Sequence, residues 1–186
     1  MIREDLLTPN ESSRPQLKIR MVQAIVLHWY GNPGTTADAT RGYFESLKTQ
    51  QPKPGKRAVR ASSQYIIDNR EIIRCIPENE VAYHCGEASV EYYSDYTKAR
   101  WPGEHPNWYT LGLEHAHPGW NGVWDKDTVR WSLLLCAGLC LQYGLDPMKD
   151  ILRHYDITGK ICPRHFVEFP MAFEVFKTSV GQTMEV

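Results

Sequence analysis

A near-continuous apolar run, Val22, Ala24, Ile25, Val26 and Leu27, ends at His28 and opens into Trp29-Tyr30-Gly31-Asn32-Pro33-Gly34. A run without polar alternation marks a strand covered on both faces. Such a strand needs layers on each side of its sheet, which predicts an α/β chain built around an internal strand. His28 stands where that rigid element opens into a loop, and sites on α/β sheets collect at strand ends. Taken alone, a histidine in apolar surroundings reads equally as a hydrogen-bonded core residue.

A second stretch gives His28 a reason to be there. Arg153-His154-Tyr155-Asp156-Ile157-Thr158-Gly159-Lys160-Ile161-Cys162 sets a nitrogen donor, His154, and a sulfur donor, Cys162, eight residues apart around a Thr158-Gly159 turn. Zinc accepts this pair, and a catalytic zinc takes three protein ligands with one position open. His28 is the natural third. Lys160, two residues before the thiol, is expected to favour the thiolate. The plain alternative is a loop with a packed histidine and a buried free cysteine.

Composition narrows the classes. The 186 residues suit one domain with a sizeable core, and a net charge of −1 argues against a nucleic-acid binder, which needs clustered Lys and Arg. No apolar run has the length of a membrane span, so neither nucleic acid nor membrane is expected as a partner. Five cysteines, an odd count, favour reduced thiols and a metal ligand over a disulfide framework. Met1-Ile2-Arg3-Glu4-Asp5 is followed by no long apolar stretch, so no cleaved secretory signal is expected.

Along the chain, residues 1–20 read as an extended arm and 21–180 as the main domain. Thr36 is expected to cap a helix over 37–49. The basic segment Pro52-Lys53-Pro54-Gly55-Lys56-Arg57 reads as a solvated connector, with anchoring of an anionic polymer as the other possibility. Strands near 62–68 and 72–76, turning at Asn69-Arg70, predict a hairpin. Residues 77–108 form a long irregular stretch suited to line a groove; within it His84 and Cys85 could themselves bind a metal. A strand over 109–117 carries Glu114, expensive in apolar surroundings unless it has a task. His115 and His117 have ligand spacing on the opposite face. Spacing alone leaves Glu114 and this pair as competitors. Asp125 or Asp127 then caps a helix ending at Gly144, with Cys136 and Cys140 in the core, and a last helix is expected over 167–177.

The blocks Ile25-Val26-Leu27-His28, Trp29-Tyr30-Gly31-Asn32-Pro33-Gly34-Thr35, Leu111-Gly112-Leu113-Glu114 and Arg153 to Pro163 occur in this order over most of the chain. Together they resemble the zinc-dependent N-acetylmuramoyl-L-alanine amidases of the type-2 family. That family is related to an amidase-type phage lysozyme and to the peptidoglycan recognition proteins, and the flavour here is that of cell-wall amidases and endolysins. The resemblance implies a mixed central β-sheet flanked by helices, with a groove over Zn2+. It implies His28, His154 and Cys162 as metal ligands, Glu114 as the catalytic carboxylate and Lys160 as the lysine serving the transition state.

The implied reaction is hydrolysis of the amide between N-acetylmuramic acid and L-alanine, with peptidoglycan or muropeptides as partner. Asn32, His84 and Trp120 are candidate substrate contacts on position. One departure stands out: Ser62-Ser63-Gln64-Tyr65 occupies the hairpin where relatives commonly carry histidine or an aromatic residue before the tyrosine. A module that binds muropeptides without cutting them, and a cytoplasmic amidase recycling soluble muropeptides, are the alternatives. A chain made without a signal is expected to stay cytoplasmic unless released to the wall by lysis.

Overall fold

A computed structural model describes residues 2–52, 54–87 and 89–185. Six strands form one sheet: β1 (Ile2–Glu4), β2 (Ala24–Trp29), β3 (Tyr65–Ile67), β4 (Ile72–Arg74), β5 (Thr110–His115) and β6 (Ile151–Arg153). Their order is β1-β4-β3-β5-β2-β6, and the β3–β4 hairpin is the antiparallel pair in an otherwise parallel, hence mixed, sheet. The apolar run lies inside it, between β5 and β6.

Strand alternation divides the core. Ile25 and Leu27 of β2 and Leu111 and Leu113 of β5 pack against α3 (Lys126–Tyr143), α6 (Arg164–Glu168) and α7 (Pro170–Met184), meeting Leu135, Cys136, Phe166 and Phe176. Ala24 and Val26 face the other way, toward Tyr93, Trp101, Leu152 and Ile157. On that second face Ile66 and Ile73 also meet Ala37 and Phe44 of α1 (Ala37–Ser46). His28 shares the parity of Ala24 and Val26, and Glu114 that of Thr110 and Gly112. The site therefore belongs to the face covered by α1, by the irregular stretch with α2 (Asp95–Arg100), and by α5 (His154–Thr158). The short α4 (Pro147–Asp150) leads into β6.

Helix α3 begins and ends as its sequence dictates. Asp125 accepts from the backbone amides of Asp127 and Thr128, both at 3.0 Å, and Gly144 closes the helix in the left-handed conformation at φ 65°. Asp125→Ala is expected to cost about 1 kcal/mol, seen as a lower midpoint in chemical denaturation with an unchanged slope.

Several elements differ from expectation. Residues 2–4 are an edge strand, not merely a surface arm, and Leu7 is fully buried. Arg14 adds a two-pronged ion pair to Glu80, at 2.8 Å through each prong. Three residues are too few to carry a readable alternation. The last helix is two, α6 and α7, because Pro170 lacks an amide proton and pushes Phe169 out of the helical region, to φ −126° and ψ 76°. Ile151–Arg153, for which no strand was expected, pair as β6 beside β2. Of the basic connector, Lys53 lies outside the described residues; Lys56 and Arg57 are exposed.

Candidate metal centre

His28 closes the buried half of β2, and the parallel register sets it directly beside Glu114 of β5. His154 is the first residue of α5, immediately after β6, which pairs with the other edge of β2. Cys162 follows the Gly159 turn, where φ is 79°, and the loop is tied back by a 3.0 Å bond from the Tyr155 amide to the Cys162 carbonyl. Arg153 braces it further, its guanidinium holding Asp156 and donating to the Phe166 carbonyl at 3.0 Å. One donor atom each from His28, His154 and Cys162 thus lie within 4.8 Å of one another, all three residues being buried. Cys162 Sγ is 3.7 Å from His28 Nδ1.

The surroundings suit a cation. Two imidazoles and a thiol are a zinc donor set. His154 Nδ1 and Glu114 Oε2 are covered and have no hydrogen-bond partner among the described residues, an expensive state that a bound cation relieves. Burial lowers His28 well below the ordinary imidazole range and His154 to about 3, so both rings are neutral with lone pairs available. Burial likewise raises Glu114 to about 8, with Lys160 pulling the other way.

Lys160 does less for the thiol than its position in sequence promises. Burial pushes Cys162 up to about 12, and the exposed ammonium offsets only part of it. A cation in direct contact with sulfur is what yields the thiolate.

Glu114, Lys160 and the three donors line one cavity of about 600 Å³, walled also by Arg60, Tyr83 and Trp108. A neighbouring depression shares Arg60, Glu87 and His105 with it and reaches Arg57. Tyr83, Glu87, His105 and Trp108 come from the 77–108 stretch expected to line a groove, whereas Arg60 was missed because an irregular segment has no periodicity to mark which side chains converge. Asn32 and Trp120 are exposed and do not line the cavity. His84 lies in the cavity wall, but both its ring nitrogens are engaged inside the protein, with His28 and Thr110. It is therefore no free substrate contact.

Among the described residues the competing ligand pairs form no group able to hold a metal. His115 donates from Nδ1 to the His28 carbonyl and meets Ser132 Oγ at Nε2, both at 2.8 Å, while its ring stacks on Trp124. His117 bonds the Gly119 carbonyl. Cys85 is held by Asn107. In the hairpin, Gln64 links the Gly112 amide to the Glu80 carbonyl and Tyr65 turns away to Glu78, leaving Ser62 to line the cavity.

A mixed sheet thus carries a cluster of two histidines and one cysteine that could hold a metal, with a carboxylate beside it. Residues 18–165 match the family described as N-acetylmuramoyl-L-alanine amidase, and the chain belongs to that family. It is 35% identical over 177 residues to the N-acetylmuramoyl-L-alanine amidase BlyA of Bacillus subtilis (strain 168), covering 94% of this chain and 45% of BlyA. The chain thus spans about half the length of the curated relatives it matches. Its fold is that of the PlyG catalytic domain, with a TM-score of 0.72 at 16% identity over 99% of this chain and 95% of that one. A mutant endolysin from Bacillus subtilis is similar, with a TM-score of 0.69 at 19% identity over 97% and 98%. No helix among the described residues is long and apolar enough to cross a membrane.

Proposed function

We propose that this chain carries the catalytic machinery of a zinc-dependent N-acetylmuramoyl-L-alanine amidase acting on the bacterial cell wall. The supporting observation is the convergence of His28, His154 and Cys162 within 4.8 Å, beside the half-buried Glu114, in the wall of one cavity. Zinc bound there supplies Lewis acidity for an amide carbonyl and brings the pKa of a water molecule to about 7.

The remaining steps fall to the chain's own residues. Glu114, as the carboxylate that a neighbouring cation favours, takes the proton from water and returns it to the leaving alanine nitrogen. Lys160, exposed at the cavity edge, offers its ammonium to the oxygen that gains charge as the amide carbon becomes tetrahedral. Incubation with peptidoglycan is expected to release new L-alanine amino termini. Their absence, with zinc bound, would return the chain to the binding-module class. Parallel assays on intact sacculi and soluble muropeptides separate wall lysis from recycling.

Arg60 is the groove's specificity element in this reading. It stacks over Tyr83 at 5.6 Å, has no acidic partner among the described residues, and belongs to both depressions. A carboxylate of the stem peptide suits it. Arg60→Ala is expected to raise KM by roughly fivefold, about 1 kcal/mol, with kcat held, and the difference should shrink at high salt. Steady-state kinetics at two ionic strengths check this.

A further inference from the structure

His84 comes from the irregular stretch and reaches β5 at Gly112, where a Cβ would stand 2.5 Å from its Cγ. The bare backbone of Gly112 is what lets the imidazole sit so close to the sheet. From that seat its Nε2 lies 3.1 Å from Thr110 Oγ1 and 3.4 Å from the Thr110 carbonyl oxygen. The Thr110 hydroxyl in turn donates to the Pro106 carbonyl at 3.0 Å. Carbonyl oxygens only accept. With the hydroxyl proton directed to Pro106 and the Thr110 carbonyl able only to accept, Nε2 is assigned as the protonated nitrogen of His84.

Among the described residues His84 bonds a hydroxyl and a carbonyl oxygen at Nε2, the His28 ring at Nδ1, and no carboxylate, the pattern of a neutral ring with Nε2 as its donor. Its Nδ1 is consequently a lone pair. That atom lies 3.0 Å from His28 Nε2, so His28 is the donor. His28 then carries its proton on Nε2 and leaves Nδ1 bare, on the side where Cys162 Sγ lies at 3.7 Å.

We propose that His84 is a positioning residue that fixes His28 in the tautomer able to bind metal through Nδ1. The chain of donors runs His28, His84, Thr110, Pro106, and ends on the backbone. Histidine ligands usually have their second nitrogen engaged by a carboxylate, carbonyl or water. Here a neutral imidazole anchored to main-chain oxygens takes that place. The consequence for metal affinity rests on the zinc reading above; the direction of the proton does not.

The test is made on metal-free full chain with nitrogen-15-labelled histidine, reading ring tautomers by long-range NMR correlation, and on zinc affinity by competition with a chromophoric chelator. Wild type should show His28 protonated on Nε2. In His84→Leu that preference should be lost and zinc affinity should fall about 10–100-fold. In His84→Asn, whose side-chain oxygen accepts where Nδ1 did, the tautomer and the affinity (to within about threefold) should be retained. His28 protonated on Nδ1 in wild type would overturn the assignment without any variant. So would equal affinity loss in both variants, which marks a packing effect, or unchanged tautomer and affinity in His84→Leu. A wild-type protein that shows the Nε2–H tautomer yet binds no zinc refutes the amidase reading and leaves the assigned proton direction standing.

Discussion

Glu114→Gln is expected to fold and bind zinc as the parent does while losing about 10²–10⁴-fold in amide hydrolysis. The register that sets Glu114 beside His28 leaves Oε2 covered and unpartnered at the edge of the donor cluster. Burial raises its carboxyl to about 8 and Lys160 opposes that, so a cation bound beside it would favour the carboxylate that takes the proton. Glutamine keeps the shape and can hydrogen-bond, but it cannot carry the proton. The amide is neutral, like the protonated carboxyl that burial favours, so the fold should not suffer. Turnover on a defined muropeptide, beside zinc content of the same preparation, reads the effect. Near-parental turnover at full zinc occupancy would remove Glu114 from the mechanism.

Cys162→Ser is expected to weaken zinc binding by more than ~100-fold, since loss of a supporting contact to a ligand already costs roughly 10–100-fold and this removes the ligand itself. Cys162 is only 2% exposed, and burial holds its thiol protonated in the metal-free state. Zinc binding must therefore release its proton, and a serine hydroxyl gives up its proton far less readily. Serine is slightly smaller and fits the same space, so the metal-free variant should unfold near the parental temperature. The parent should gain stability from added zinc and the variant should gain much less at the same concentration. Amidase activity should fall with occupancy and recover partly in excess zinc. Tight, stoichiometric zinc in Cys162→Ser would take sulfur out of the donor set.

Local rules made much of this molecule legible. The run ending at His28 announced an internal strand, and alternation along β2 and β5 assigned Glu114 and His115 to opposite faces before any neighbour was known. Asp125 and Gly144 bracketed α3 through backbone groups a helix cannot satisfy itself. The hairpin over β3 and β4 followed from turn chemistry. The short elements β1 and β6 escaped notice because three residues hold less than two periods of alternation.

What the sequence by itself determined is therefore an inventory: an internal strand, its two faces, the helix ends, and a supply of imidazole, thiol and carboxylate groups able to hold a metal. The family resemblance joined His28, His154, Cys162, Glu114 and Lys160 into one set; only the tertiary structure decided how they meet and what surrounds them. The parallel register sets His28 against Glu114, and β6 delivers His154 and Cys162 to the same end of β2. It also turned His84 from a free groove residue into an engaged neighbour of His28, and exposed Arg60 and Tyr83 as walls. The physical reason is that periodicity and capping act within a few residues along the chain. Contacts between positions as distant as 28 and 162 depend on strand pairing and layer packing, which no local pattern encodes.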